Sequence, residues 1–236
     1  GASGFGHGFD PQQYEPCTLY VEGLPAGADD AAVLADVTLQ SALLLSETPV
    51  TVQVIVTPNE QENRFEIFSR AAEAGPPGPE GWTCHATGAL RGPTEITGAA
   101  DTPFDPKTLS ARDTTLIDLQ LIEQRFASRG VTYGPAFSAI SQAGFSGSGS
   151  VIARLELPPI AEGEFDAYGI HPVLLDAGLR MAEVLFPDGD PQSIFLPFSV
   201  GSLHARQAPP GPLWVRATGT EHAAVRSVDL EIFDTK

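Results

Sequence analysis

The sequence predicts an α+β fold in which short antiparallel strands outnumber helices, and three observations lead to it. β-branched runs recur at short intervals and are joined by polar turns, as where Thr51-Val52-Gln53-Val54-Ile55-Val56 is followed by Asn59-Glu60-Gln61-Glu62-Asn63, the pattern of consecutive hairpin strands. Helical periodicity marks two segments, one from Leu116 to Phe126 and one after Pro172. Between them and the first strands, Gly92 to Pro106 is dense in Gly, Thr, Pro and Asp and reads as a linker. At 236 residues the chain can bury a substantial core, either as one large domain or as two halves of ordinary size.

Taken in order, Gly1 to Pro16 is rich in glycine and polar groups and shows no periodicity, as a leader or loop would. Strands are expected at Val37 to Leu45, Val50 to Val56 and Arg64 to Ser69. Ala74-Gly75-Pro76-Pro77-Gly78-Pro79 is a solvated loop, and Trp82 to Gly88 returns as the strand that closes the first half. After the linker, Leu116, Leu119, Ile122, Glu123 and Phe126 define a short amphipathic helix that ends at Gly130. Tyr133-Gly134-Pro135 turns the chain into a second sheet, with strands expected at Phe137 to Ala143, Gly149 to Leu157, Phe195 to Ala205, Leu213 to Thr218 and Ser227 to Phe233, and a hairpin at Gly144 to Ser150. The chain thus divides into residues 1–91, a linker at 92–113, and residues 114–236.

The stretch from Gly169 to Arg180 carries the first functional candidate. It reads as a helix start with Pro172 in the first turn, where its missing N–H costs nothing, followed by an apolar run through Met181, Ala182, Val184 and Leu185. Asp176 stands inside that run among Val173, Leu174, Leu175 and Ala177. A carboxylate in such a place must be paired, hydrogen-bonded or shifted toward its neutral form. The alternative is that Asp176 lies on an exposed stripe with Arg180 and Glu183, which share its face at spacings of four and seven.

Composition excludes several classes. A formal charge of −17, from 13 basic and 30 acidic residues, argues against nucleic acid, because phosphate binding needs concentrated Lys and Arg. No apolar run approaches the roughly 20 residues of a membrane span, and no secretory leader is visible, so a cytoplasmic location and no membrane contact are expected. Cys17 and Cys84 are too few for a disulfide framework and lack metal-ligand spacing, so free thiols and no metal are expected. No Gly-rich phosphate loop, Ser-His-Asp elbow or Cys-His pair is present in a credible context.

The order and spacing of three motifs carry a resemblance. Tyr133-Gly134-Pro135 enters an apolar strand, His171-Pro172-Val173-Leu174-Leu175-Asp176-Ala177 follows on a helix, and Leu196-Pro197-Phe198 comes after it. The series resembles the dehydratase domain of modular polyketide synthases. That family is a double hotdog, two similar halves in which a curved antiparallel sheet wraps round a helix, and the resemblance implies the same here. It further implies elimination of water from a 3-hydroxyacyl thioester with no cofactor beyond the phosphopantetheine arm of an acyl carrier protein. Neighbouring synthase domains and a homodimer are implied as partners. Asp176 becomes the acid or hydroxyl anchor, Tyr133, Gly134, Pro135 and Arg180 line the substrate channel, and His171 and His85 are structural. His7 to Pro16 keeps the first and last members of the family's His-x-x-x-Gly-x-x-x-x-Pro motif, which implies His7 as the catalytic base, and Cys17 to Glu22 resembles the start of the first hotdog helix. Pro11 replaces the motif glycine, and Gly23-Leu24-Pro25 interrupts the helix that should follow. The rival reading makes residues 1–30 a loop and places the base upstream of Gly1. Val200 stands where the family often has tryptophan, a change in the pocket wall.

Dehydration needs a base for the α-proton and an acid for the poor hydroxide leaving group, two groups in opposite protonation states across the substrate. A backbone N–H at a helix start can polarise the thioester carbonyl. Arg180 complicates this, because the family usually has Gln or His there. An arginine at spacing four can pair bidentately with Asp176 and lower its pKa by about 1 to 3, leaving a poor proton donor. That opens an alternative reading, a degenerate module that is non-catalytic or that performs double-bond isomerisation or pyran-forming cyclisation. If Arg180 instead points to solvent or to Glu183, Asp176 keeps the acid role.

Overall fold

The structure is a computed structural model that describes residues 33–44, 48–59, 62–71, 81–92, 114–146, 149–162, 168, 170–186, 198–204, 212–222 and 225–234. His7, Cys17 and most of the linker lie outside them. In chain order the elements are β1 (Val33–Leu39), β2 (Val50–Thr57), β3 (Asn63–Ala71), β4 (Thr83–Arg91), β5 (Thr114–Leu116), α1 (Leu119–Ser128), β6 (Ile140–Ser146), β7 (Val151–Leu155), α2 (Pro172–Leu185), β8 (Ser199–His204), β9 (Leu213–His222) and β10 (Val225–Phe233). A single 3₁₀ turn at Pro135–Phe137 precedes β6.

The strands form two five-stranded sheets, ordered β2-β3-β4-β1-β8 and β10-β9-β7-β6-β5. All their described pairings are antiparallel. In the first unit, β2 alternates half-buried and exposed residues along its length, as an edge strand with one covered face does. Its hairpin with β3 runs from Val50 opposite Ala71 to Thr57 opposite Arg64. Val33, Ala35, Val37, Phe65, Ala86 and Ala89 are its buried apolar side chains among the described residues.

A close contact fixes the middle of this sheet. Phe65 lies opposite Gly88, and a Cβ on Gly88 would stand 2.6 Å from the Phe65 ring and 3.2 Å from the Ala35 carbonyl oxygen. The ring therefore occupies the space a side chain at 88 would need, and backbone bounds that space on one side. Gly88→Ala is expected to destabilise the fold by about 1 to 3 kcal/mol, the usual range for overpacking. An unchanged urea midpoint would show that Phe65 moves aside freely.

The second unit holds the larger core. Leu155, Leu174, Met181, Leu213, Val151 and Val215 are almost fully buried where α2 lies on the sheet. Gly219 of β9 allows that approach, since a Cβ there would stand 2.5 Å from Leu185 and 2.8 Å from Phe186 at the end of α2. α1 is capped by Asp118, whose side chain accepts from Gln120 N–H, and it ends in Gly130 at φ +83°, a left-handed position that suits glycine.

Two sequence expectations are corrected here. Leu116, expected in the first helix, belongs to β5, because the Asp118 cap starts the helix only at Leu119. The strand expected in the second sheet at Phe195 to Ala205 is β8, and it pairs with β1 in the first sheet, Val33 opposite His204 and Thr38 opposite Ser199. The reason is that β1 offers a free edge beyond β4, whereas the second sheet is completed by β9 and β10. The described residues accordingly group as 33–92 with 198–204, and as 114–186 with 212–234. No helix among the described residues is long and apolar enough to cross a membrane.

Candidate active site

The site is built on the first turns of α2. His171 is its N-cap, buried, with Nδ1 accepting from the Val173 N–H at 3.2 Å, which puts the ring proton of the neutral form on Nε2. Pro172 fills the first helical position, so the turn needs one amide fewer satisfied. Tyr168 packs edge-on against the His171 ring at 5.2 Å. This capped turn presents Asp176, whose side chain is 34% exposed.

Arg180 lies one turn beyond, and its guanidinium has three neighbours. Nη2 donates to the Phe137 carbonyl at 2.6 Å, the guanidinium carbon stands 4.1 Å from the centre of the Tyr133 ring, and Nε is 3.1 Å from Asp176 Oδ2. The last contact has the distance of an ion pair but not the alignment of a hydrogen bond, since neither Nε nor Oδ2 has a hydrogen-bond partner among the described residues. Tyr133 is held edge-to-face by Phe126 at 5.3 Å and against Phe137 at 6.3 Å. Gly134 and Pro135 shape the 3₁₀ turn in which Phe137 N–H donates to the Gly134 carbonyl at 2.9 Å, and this turn aims the Phe137 carbonyl at Arg180.

Burial dominates the electrostatics. It raises the Asp176 carboxyl above the ordinary carboxylate range, with the Arg180 charge pulling the other way. Burial likewise lowers Arg180, opposed by Asp176, Tyr133 and Glu123. Tyr133 is raised by burial and by the Asp176 charge, so its phenol stays a neutral donor and acceptor at pH 7. Arg180 does pull the Asp176 pKa down, as expected, but burial outweighs it, so the net direction is upward rather than toward the ionised form. The guanidinium is committed to a carbonyl and a ring, and its unaligned contact with Oδ2 does not offset the lost hydration.

The exposed-stripe reading of α2 fails as well, because Arg180 and Glu183 are both buried. Glu183 does not face Arg180's solvent side. It accepts from Arg129 Nη1 and lies 3.4 Å from Arg125 Nη2, which also donates to the Phe186 carbonyl at 3.0 Å. This cluster ties α1 to α2. Its sequence signal was the four-residue spacing of Arg125 and Arg129, whereas the Phe137 carbonyl that anchors Arg180 has none.

His85 belongs to the other unit. Its Nδ1 lies 3.0 Å from the Ser41 carbonyl and must donate to it, so Nε2 accepts from the Ser69 hydroxyl at 2.6 Å. Both nitrogens are thus engaged in holding strands together. Cys84 is a free thiol, and no group of three or more potential metal ligands occurs among the described residues.

A half-buried carboxyl held above its usual range on a capped, apolar helix suits proton donation, and comparison with known proteins bears on where such a helix occurs. Residues 101–235, more than half of the chain, match the family described as polyketide synthase dehydratase N-terminal domain. The chain belongs to the polyketide synthase dehydratase family. Among curated relatives, the spectinabilin polyketide synthase system protein NorA of Streptomyces orinoci is 34% identical over 190 residues, covering 78% of this chain and 10% of NorA. The chain spans a tenth or less of the length of the curated relatives it matches.

Solved dehydratase domains are alike in fold. That from the terminal module of the rifamycin polyketide synthase is 30% identical at a TM-score of 0.68, covering 86% of this chain and 69% of that one. The dehydratase from the CurK module of curacin polyketide synthase is 26% identical at a TM-score of 0.69, covering 87% of this chain and 70% of that one. It has also been solved as a His-to-Phe and as an Asp-to-Asn variant, each described as inactive. The two antiparallel sheets of this dehydratase domain are therefore hotdog sheets, as the α+β double hotdog expectation has it, and its family catalyses the hydro-lyase reaction on 3-hydroxyacyl intermediates.

Proposed function

We propose that this domain eliminates water from a 3-hydroxyacyl thioester carried on the phosphopantetheine arm of an acyl carrier protein, with Asp176 as the acid. The observation that carries the reading is the state of Asp176, a carboxyl on the α2 start kept above its usual range by burial yet one-third exposed. Such a shift favours the protonated form, the one that can donate to a departing hydroxyl. The base takes the C2 proton, the C3–O bond breaks with its electron pair, and the Asp176 proton completes the departing water, leaving a C2=C3 double bond. His7 is the candidate base within this chain, and a histidine upstream of Gly1 is its rival. Tyr133, with Gly134 and Pro135 shaping its turn, borders the acid and positions the substrate.

Supporting this, the CurK dehydratase is inactive when a histidine or an aspartate is replaced. The proposal extends to a domain that works in the cytoplasm, as part of a homodimeric synthase beside its carrier protein, with no cofactor of its own, in keeping with relatives that are polyketide synthases. The degenerate alternative rested on the altered His7 motif and on Arg180 ionising Asp176, and the raised carboxyl speaks against the second of these.

The test is mass-spectrometric turnover of a synthetic 3-hydroxyacyl carrier-protein thioester by this chain and by a version extended upstream. Loss of one water that disappears with Asp176→Asn is expected. If the short chain suffices, His7→Ala should abolish turnover; if only the longer one works, the base lies before Gly1. A bound substrate that never loses water in either would overturn the dehydratase reading.

A further inference from the structure

A partner that arrives and leaves is held by charge or by apolar contact. Charge is little available on this chain, which carries a formal −17. Arg91, Arg154 and Arg216 each pair with a carboxylate of their own unit, and Arg70 is buried against the Trp82 ring. Among the described residues, exposed apolar surface is concentrated in one place. Leu44 is 73% exposed and Phe198 64%, with Leu39 and Leu43 exposed beside them in the sequence, and no residue from Val37 to Ser46 or from Phe195 to Leu203 carries a charge. Leu39 N–H donates to the Phe198 carbonyl at 2.8 Å, so the two continue the β1–β8 pairing that joins Thr38 to Ser199, and opposed residues share a face of the sheet. Just beyond, Gln40 N–H donates to the His85 carbonyl at 2.8 Å and His85 Nδ1 to the Ser41 carbonyl at 3.0 Å, which anchors the segment leading to Leu43 and Leu44. Exposed apolar residues elsewhere stand beside charge: Ile55 lies opposite Glu66, Leu116 is close to Asp118 in sequence, and Ile160 to Glu162.

We propose that this uncharged edge, with Leu39, Leu43, Leu44 and Phe198, is where the acyl carrier protein docks, held by burial of these side chains rather than by ion pairs. This rests on the reading of the domain as acting on a carrier-bound thioester. A single exposed leucine is ordinary, but large apolar side chains gathered on two neighbouring uncharged segments mark an interaction surface. A carrier protein must leave after each turnover, which calls for a contact at the small end of the range, and a few leucines with one aromatic supply it. On a chain of net −17 an uncharged patch is also where a partner of the same sign meets least repulsion. Because the contact is not ionic, salt does not weaken it.

The test is the binding of a fluorophore-labelled apo acyl carrier protein from the same synthase to the full chain, followed by anisotropy. The apo carrier bears no acyl group, so the reading does not depend on dehydration. Leu44→Ser should raise Kd about tenfold, and Leu44→Ser with Phe198→Ser about 100-fold, the scale on which central apolar contacts count. Leu44 is exposed enough that its change leaves the thermal midpoint in place, which calorimetry verifies. Kd should change less than about twofold between roughly 50 and 500 mM NaCl, and Arg64→Glu, which reverses an exposed charge of β3, should leave it unaltered. A Kd unmoved in the double variant would sink the proposal, as would one that rises about tenfold with salt or with Arg64→Glu, since the carrier would then be held by charge. Sedimentation adds another arm: if the double variant falls from dimer to monomer yet binds the carrier as before, the patch belongs to a second copy of the chain and the proposal fails. A carrier that binds as expected but whose 3-hydroxyacyl form never loses water leaves the docking in place and refutes the dehydratase reading instead. An apo carrier that binds neither this chain nor its upstream extension refutes the docking.

Discussion

Asp176→Asn should lower dehydration about 10²- to 10⁴-fold, the usual contribution of a general acid, while leaving the thermal midpoint at pH 7 unchanged or higher. The second half of the expectation follows from the sign of the shift. Burial raises the Asp176 pKa in the folded chain. A group whose folded pKa is raised stabilises the fold below its unfolded pKa and loses that contribution as pH rises through the folded value. To the extent that the carboxyl ionises it is a burden on the fold, and the neutral amide relieves it. The same shift predicts that the pH at which turnover falls on the alkaline side lies above the ordinary carboxylate range, since the acid must be protonated to act. Kinetics and differential scanning calorimetry on one preparation check both halves. A variant that loses activity and stability together would show that Asp176 is a packing residue.

The largest expected loss of stability is at Glu183. Its side chain is 5% exposed and faces Arg129, itself 3% exposed, and Arg125. Glu183→Ala removes the carboxylate that the buried Arg129 cation donates to, and breaking such a pair costs about 3 to 5 kcal/mol. Replacing both partners, as Glu183→Leu with Arg129→Met, should cost less than Glu183→Ala alone, because the more deeply buried of the two arginine charges goes with the carboxylate. Equilibrium urea unfolding of the three proteins decides the matter. A double variant that is the least stable of the three would mean that the cluster acts through shape rather than charge. Because α1 leads directly into Gly130 and Tyr133, loosening this cluster also loosens the turn that anchors Arg180.

α2 was legible in the sequence because its signals agree: Pro172 suits a first turn, the apolar run that follows has helical length, and Asp176 is conspicuous inside it. The β2–β3 hairpin was legible for the same reason, with strict alternation on both sides of a polar turn. The partner of β8 was not. Alternation tells which face of a strand is covered but says nothing about which edge it joins, and the chain neighbours of β8 all suggested the second sheet. Leu116 shares the apolar period of α1, so its place in β5 was hidden until Asp118 was seen to cap the helix. The effect of Arg180 on Asp176 was unreadable for another reason. Residue types and spacing announced the pair, but the outcome depends on how much water both have lost and on a backbone carbonyl, and neither quantity is written in the residue at either position.

The pairing of β8 with β1 has a consequence for how the chain is made. The outer strand of the first sheet is synthesised only after α2, so the edge of β1 stays open on a growing polypeptide until residues 199–204 have left the ribosome. Joining Val33 to His204 closes a loop spanning most of the chain, and such distant contacts are slow to form. During that interval an exposed strand edge invites pairing with another nascent copy. Translation speed through residues 92–198 therefore sets how long the danger lasts, and codon choice in that interval is where the yield of correctly assembled protein would be won or lost.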